Sequence, residues 1–309
     1  MAELREELKP RSYPMAMLLP FFPEPNGSRE FSTSVGDLDV RIYLEDEGDT
    51  LATPGDRKII AILSAAIARQ IRNGINDPVI DIQVNELLDA LVGPELIPGG
   101  EEYARLQEKL NRLMNTVIET SKAMPNGMRR NQRFRWIGAY EYDSTEKAIT
   151  GNTKSVRISL TKQAFSLITE VAGFDTPADI YRSISLSPTS TWRIYEICIA
   201  TLLRNDREAT TISMAELHHR IPMQCPLKVF KSRALRKAFE VISSDPEMSK
   251  RLSLTLLKKN PDGSMEEVEF SKRAKTDEVY IGITPGDLSD IKTDRLLEVD
   301  GAEHEVLDM

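Results

Sequence analysis

Arginine and lysine are the residues of this chain whose spacing could do chemistry, because they lie in two dense islands. Residues 102–162 contain 12 Lys+Arg against 6 Asp+Glu, and residues 225–275 contain 12 against 7. The ends are acidic, with 5 against 12 in residues 1–56 and 2 against 10 in residues 277–309. Although the net charge is −8, contact with phosphates requires only a local basic face. The alternative is that charge merely fluctuates along the chain.

The first island contains a predicted helix, Glu101–Ser121, with two different faces. At about 100° per residue, its apolar residues from Tyr103 to Ile118 fall within one broad sector. Arg105, Lys109 and Arg112 fall on the opposite side, which is the separation that insertion into a DNA groove requires. The alternative is a solvated face, because two of these arginines have a glutamate four residues earlier.

More basic residues follow this helix in a predicted loop and two-stranded wing. In Arg133-Phe134-Arg135-Trp136 the aromatic residues alternate with arginines, so a strand would place the rings in the core and the guanidinium groups outside. We therefore predict contacts with the DNA backbone from this region. The residues concerned are Lys122, Arg129, Arg130, Arg133, Arg135, Lys147 and Arg157.

The second island contains a similar helix, predicted over Pro226–Ser244. Arg233, Arg236 and Lys237 fall opposite an apolar side that includes Ala238, and Lys228 lies near the seam between the two sides. These four cations complete the predicted DNA-binding set. Lys231 falls within the apolar sector, which weakens this second case: either its long side chain reaches out to solvent or the helix is misphased.

The elements that would position these residues follow the same order twice. Periodicity and turn residues predict helix, short strand, helix, longer helix and a two-stranded hairpin in each half. That order is typical of a winged helix-turn-helix, so we predict a helix-rich α+β fold with two tandem winged-helix domains. The predicted divisions are a flexible arm (1–30), domain 1 (31–170), a linker (171–188), domain 2 (189–284) and an acidic tail (285–309).

Nothing in the sequence indicates catalysis, and we predict no enzyme, cofactor or metal site. Adjacent His218 and His219 point in different directions on a short helix and lack other ligands at metal spacing. Gly151–Ser155 lacks the glycine and spacing of a phosphate-binding loop. Cys198 and Cys225 are too few for a disulfide framework, and no signal peptide or membrane span is evident, so we predict a cytoplasmic protein.

Several of these segments resemble the plasmid replication initiator protein A family. They include Val40-Arg41-Ile42-Tyr43, GGEEYARLQEKLNRLMNTVIETS, RFRWIGAYE, RISLTKQAFSLI and TWRIYEI. The resemblance covers about residues 31–260 and is specific from Gly99 to Leu167. It implies binding to repeated double-stranded origin sites, help in opening the duplex, and contacts with a host initiator and the replicative helicase. It also implies a switch between homodimer and monomer.

Other functions compete with origin binding. A winged-helix transcriptional regulator would bind one operator palindrome as a stable dimer and melt nothing. A protein-interaction module would use its basic face in internal ion pairs. A nuclease or nickase is disfavoured because the two histidines separated by one residue that rolling-circle nickases use are missing from the sequence.

Overall fold

The computed structural model describes residues 11–12, 21–23, 27–35, 37–92, 97–124, 126–144, 148–169, 174–175, 189–221, 223, 225–270, 278–289 and 291. These residues form a mixed α+β fold. Their buried hydrophobic side chains make two clusters, one within residues 21–168 and one within residues 192–291. We call the parts around these clusters the first half and the second half.

The first half combines helices with two small antiparallel sheets. Its helices are α1 (Arg57–Arg72), α2 (Val84–Val92), α3 (Gly100–Asn115) and α4 (Lys162–Thr169). Its strands are β1 (Arg11–Ser12), β2 (Glu30–Val35), β3 (Leu38–Leu44), β4 (Val79–Gln83), β5 (Thr116–Ala123), β6 (Arg129–Phe134), β7 (Ile137–Tyr142) and β8 (Ser155–Leu160). One sheet has the order β2-β3-β5-β6 and the other β4-β8-β7.

The second half repeats this mixture with one sheet. Its helices are α5 (Thr189–Arg204), α6 (Met214–Arg220), α7 (Leu227–Phe230), α8 (Arg236–Ser244) and α9 (Pro246–Arg251), and a π-helical segment, Lys231–Leu235, joins α7 to α8. Its strands are β10 (Thr210–Ser213), β11 (Leu252–Lys259), β12 (Met265–Glu267) and β13 (Val279–Pro285), in the order β10-β13-β11-β12. A two-residue strand between the halves, β9 (Phe174–Asp175), pairs with β1.

The two halves share a connectivity. Each contains a long buried helix, a short strand, a short helix, a third helix and then two strands that complete the sheet. In each sheet the last strand lies between the other two, as β4-β8-β7 in the first half and β10-β13-β11 in the second. The first half inserts β5 and β6 between its third helix and its last two strands, whereas the second half inserts α9 after its third helix and the edge strand β12 between β11 and β13.

The predicted third helix was too long. It ends at Asn115, and Thr116–Ala123 is strand β5 between β3 and β6. Thr116, Val117, Ile118 and Thr120 are β-branched, which favours a strand once neighbouring strands are available. An apolar run alone could not distinguish the two structures, because residues 116–118 are all buried.

The predicted single strand Arg133–Tyr142 is two strands in different sheets. The chain leaves the first sheet after Phe134 and enters the second at Ile137. In the second half, the predicted strand Glu267–Phe270 is instead the short β12, and β13 was not predicted at all. Its buried apolar residues include Val279, Ile281 and Ile283, a pattern of alternation that predicts a strand.

The predicted arm and tail also contain buried residues. Phe21 and Phe22 pack in the first cluster, where the ring of Phe22 stacks on Trp136 with centroids 5.8 Å apart. Leu288 and Ile291 pack in the second cluster, beyond the predicted domain end. Large aromatic and aliphatic side chains bury wherever a core accepts them, even when their neighbours are polar. The remaining predicted arm, linker and tail lie mostly outside the described residues.

Candidate nucleic-acid interface

The side chain of Asp56 holds two of the three predicted cations of α3, Lys109 and Arg112. Its carboxylate, just before α1, is completely buried. Arg112 donates two hydrogen bonds of 2.8 Å to its two oxygens, one from Nε and one from Nη2. The ammonium of Lys109 lies 3.4 Å from the same carboxylate and donates to the carbonyl of Gly55 at 3.1 Å. We call these contacts the Asp56 clamp.

In the clamp, the carboxylate and the cations stabilise one another's charged forms. Burial opposes ionisation of Asp56, but hydrogen bonds from Arg112 and the charge of Lys109 outweigh it and hold its pKa below the usual value. In return, the hydrogen bonds to Asp56 raise the pKa of Arg112. Moving Arg112 onto a phosphate would leave a buried carboxylate short of its main partner, which is costly. The prediction that Lys109 and Arg112 face away from the protein was therefore wrong.

Arg105 is exposed, as predicted, but the surface around it is not basic. Its guanidinium lies 2.6 Å from Glu101 and 3.9 Å from Glu102, and Glu108 is exposed beside it. The other side of α3 is covered by the loop between β7 and β8, since Gln107 accepts a hydrogen bond from the backbone of Ile149. The outward face of α3 therefore carries more negative than positive charge.

The basic residues on the first-half strands are mostly matched by carboxylates. Arg129 pairs with Asp39, and both Arg133 and Arg135 pair with Glu45. Each of these pairs is at least one-third exposed, so it is worth about 0–1 kcal/mol and can exchange for a phosphate.

Four predicted cations of the first half remain, and one of them lies outside the described residues. Arg157 lies between Asp81 and Glu141 on neighbouring strands, which leaves that row net negative. Lys122 and Arg130 are half-buried and opposite each other on β5 and β6. Lys147 lies outside the described residues.

The second-half helix presents the cationic face that the sequence predicted. Leu227–Ser244 is continuous through α7, the π-helical segment and α8. Its four predicted cations, Lys228, Arg233, Arg236 and Lys237, are all exposed, whereas Phe230, Ala234, Leu235, Ala238 and Ile242 are buried. Among the described residues, the one ion pair recorded for these four cations joins Lys237 to exposed Glu240 at 3.9 Å.

The π-helical segment explains why Lys231 falls within the apolar side of the helix. A π-helical turn takes in an extra residue relative to an α-helix and so shifts the phase of the residues around it. Lys231 lies on the buried side, 8% exposed, and its burial lowers its pKa. It does not reach out to solvent, and the cations before and after it share the outer face.

The net charge of each half agrees with the exposure of the cations on its third helix. Residues 31–170 contain 17 Lys+Arg against 20 Asp+Glu, whereas residues 189–284 contain 16 against 13. The second half is thus net positive although the whole chain is acidic. Two further cations are exposed, Lys250 near the end of α9 and Lys259 at the β11–β12 hairpin. Sequence analysis missed these two because α9 was not predicted and Lys259 lies next to a turn, outside any helical face.

A buried ionic contact joins the two halves directly beside the clamp. Arg57, the first residue of α1, pairs with Glu196 of α5, which is 3% exposed. Glu196 also lies 3.8 Å from Arg193, and the guanidinium of Arg57 stands 5.7 Å from the centre of the Trp192 ring. Burial raises the pKa of Glu196, although the positive charges of Arg57 and Arg193 act in the opposite direction. Asp56 and Arg57, at the start of α1, thus contact the third helix of their own half and the first helix of the other half, respectively.

The described residues were also compared with the requirements of a metal site and of a membrane-spanning helix. Among the described residues, no group of three or more His, Cys, Asp and Glu side chains is placed to hold a metal ion. No helix in the described part of the chain has the length and apolar character needed to cross a membrane.

The fold is similar to that of solved RctB structures. A selenomethionine crystal structure of domains 2 and 3 of RctB matches with a TM-score of 0.57 and 12% identity, covering 90% of this chain and 99% of that chain. A second crystal structure of RctB domains 2–3 matches with a TM-score of 0.52 and 11% identity, covering 87% and 96%. At this identity the likeness concerns the fold alone. Comparison with curated protein sequences gives no significant match.

The sequence itself identifies the class of protein, which is a replication initiator. It matches the family described as Replication initiator protein A over residues 16–246. The chain belongs to that family, as its resemblance in GGEEYARLQEKLNRLMNTVIETS and the neighbouring segments predicted.

Proposed function

We propose that this initiator binds double-stranded origin DNA chiefly through its second half, with Lys228, Arg233, Arg236 and Lys237 facing the duplex. The observation that carries the proposal is the exposed cationic side of Leu227–Ser244, opposite a fully buried side. A helix in a major groove needs this division, because bases and phosphates contact one side and the core holds the other. The equivalent side of α3 is tied to Asp56.

Each half is, in this proposal, a winged-helix domain. The shared connectivity and the central position of the last strand support it, as does similarity to RctB structures described as two domains. In the second half, β11 and β12 form the hairpin that would act as the wing, with Lys259 near its tip. A wing beside the third helix places cations along the adjacent phosphates.

The first half has a different role in the proposal. Arg129, Arg130, Arg133 and Arg135, with Lys122, can still contact phosphates, because surface ion pairs exchange at little cost. A second function, docking of another protein, is favoured by the acidic outward face of α3 and by its clamped cations. Such a partner fits the proposed contacts with a host initiator or the replicative helicase.

The whole activity proposed is that of a cytoplasmic plasmid initiator without a catalytic site or cofactor. It binds repeated sites as a monomer or homodimer and helps to open the duplex. A transcriptional regulator with the same helix would bind a single palindrome and leave the duplex closed. Permanganate reactivity of thymines beside the bound repeats separates the two, since only unpaired thymines react.

The test of the proposal is a fourfold alanine variant of Lys228, Arg233, Arg236 and Lys237. A control variant with alanine at Arg72, Lys154, Lys162 and Arg204, all exposed, changes the net charge equally. Each lost phosphate contact should reduce the slope of log K against log salt by about 0.9, so the first variant should bind with a slope lower by roughly 3–4. The control should keep the parental slope. If both variants lose affinity equally, net charge and not this helix governs binding.

A further inference from the structure

A groove runs along the side of α8, next to the cationic face. It has a volume of ≈ 470 Å³ and is lined by residues that include Arg236, Phe239, Glu240, Ser249, Ser253 and Phe270. One wall is the α8 stripe at positions 236, 239 and 240. The opposite wall comes from α9, β11 and the residues after β12. Arg236 belongs both to this groove and to the proposed DNA face, so the two surfaces are continuous.

Two phenylalanine rings form the apolar part of the groove. Phe239 and Phe270 meet edge to face, with ring centroids 5.0 Å apart and an interplanar angle of 86°. Both are only partly buried, whereas Phe230 on the same helix is fully buried. An edge-to-face pair covers one face of one ring and leaves other ring surface available. Partly exposed aromatic rings beside cations are the usual platform for stacking nucleic-acid bases.

The rim of the groove offers hydrogen-bond partners of both kinds. The guanidinium of Arg236 donates, the carboxylate of Glu240 accepts, and the hydroxyls of Ser249 and Ser253 do both. All four side chains are exposed. A nucleobase has the matching chemistry, with flat apolar faces and an edge of donors and acceptors. The groove volume lies within the range of about 300–1,000 Å³ that small-ligand sites occupy.

We propose that this groove binds an unpaired base of single-stranded DNA, next to the duplex held by the cationic face. The assignment rests on the proposed function, because Arg236 serves both surfaces. A base in a duplex is stacked and paired, so it enters the groove only after its pair has opened. Since the groove then binds the opened state and not the closed duplex, it shifts the equilibrium toward opening.

The test replaces both rings with leucine, as Phe239→Leu with Phe270→Leu, so that bulk is largely retained. A short oligodeoxythymidylate should bind this variant roughly 5- to 150-fold more weakly, which is the range for loss of one aromatic stack. Its affinity for the duplex repeat should not change. Phe165→Leu, a half-buried phenylalanine packed on the first cluster, is the matched control and should bind both probes as the parent does.

Several results would overturn the assignment. Unchanged binding of the oligodeoxythymidylate would show that the rings do not stack on bases, and an equal loss for both probes would show a defect of the helix itself. If the double variant does not fold, the parent protein still decides, because a photoreactive halogenated uracil strand must crosslink at Phe239 or Phe270. Failure of the proposed function is a separate outcome, seen when the fourfold alanine variant keeps its duplex affinity.

Discussion

Replacing Arg112 by alanine should cost stability and leave duplex affinity nearly unchanged. Arg112 supplies two 2.8 Å hydrogen bonds to a carboxylate with no exposed surface. Removing one partner of a buried ion pair costs roughly 3–5 kcal/mol. Because the ammonium of Lys109 still lies 3.4 Å from Asp56, we expect a loss of about 3 kcal/mol, at the lower end of that range.

The loss should depend on pH in a defined direction. The pKa of Asp56 is lowered in the folded protein, so its contribution is present above the unfolded value of about 3.9 and disappears as the pH falls through the folded pKa. The difference between the parent and the variant should therefore be largest near neutral pH. It should shrink as the pH falls below about 4 and disappear below the lowered folded pKa of Asp56, where the carboxyl is protonated in both proteins.

The measurement is urea unfolding followed by the fluorescence of Trp136, which lies in the first cluster. Trp192, the other tryptophan of the chain, is replaced by phenylalanine in every protein compared. Arg105→Ala is the control on the same helix and should change stability by less than about 1 kcal/mol, because its ion pairs are exposed. Adding Asp56→Asn to the variant should recover part of the loss, since it removes the unpaired charge. An Arg112→Ala protein of parental stability that had lost duplex affinity would refute the clamp and restore the role predicted from sequence.

Two further predictions concern packing. A Cβ on Gly286 would lie 2.2 Å from the carbonyl oxygen of Lys250, so Gly286→Ala should lower the melting temperature of the second half by several degrees in calorimetry. Gly282→Ala, where the nearest atom is a flexible leucine methyl at 3.0 Å, should have a much smaller effect. Phe22→Ala, which removes the ring stacked on Trp136, should cost about 3–5 kcal/mol in urea unfolding. A cost near zero would mean that this segment is the loose arm the sequence suggested.

Local pattern predicted most helices, because each has a well-defined apolar side. Arg57–Arg72 and Leu227–Ser244 were predicted within a residue or two. The boundary at Asn115 could not be found the same way. Residues Thr116–Ile118 are buried as strand or as helix, and only pairing with β3, some seventy residues earlier in the chain, decides between them. Tertiary contacts override local preference in such a segment.

The site was harder to predict than the fold, because one buried carboxylate, that of Asp56, engages two of the predicted DNA-binding cations. Helical periodicity correctly placed Lys109 and Arg112 opposite the apolar sector of α3. It could not reveal that the loop before α1 brings Asp56 to that side, since the two segments are more than fifty residues apart. The family resemblance was strongest over Gly99–Leu167, which drew attention to α3, whereas the exposed cations of Leu227–Ser244 lie beyond it.

In the proposed function the two third helices have different roles, and the difference arises from the residues at the start of the first helix of each half. In the first half, Asp56 ends the loop before α1 and draws Lys109 and Arg112 inward, while its neighbour Arg57 reaches Glu196 in the other half. In the second half, residues 191–195 of α5 are buried and include no carboxylate before Glu196, whose partners are Arg57 and Arg193. No buried anion therefore competes for Lys228, Arg233 or Arg236 within the described residues, and their charge is available to a polyanion. In the proposed function, one buried carboxylate thus distinguishes a structural third helix from a DNA-binding one, while the order of the elements around the two helices is similar.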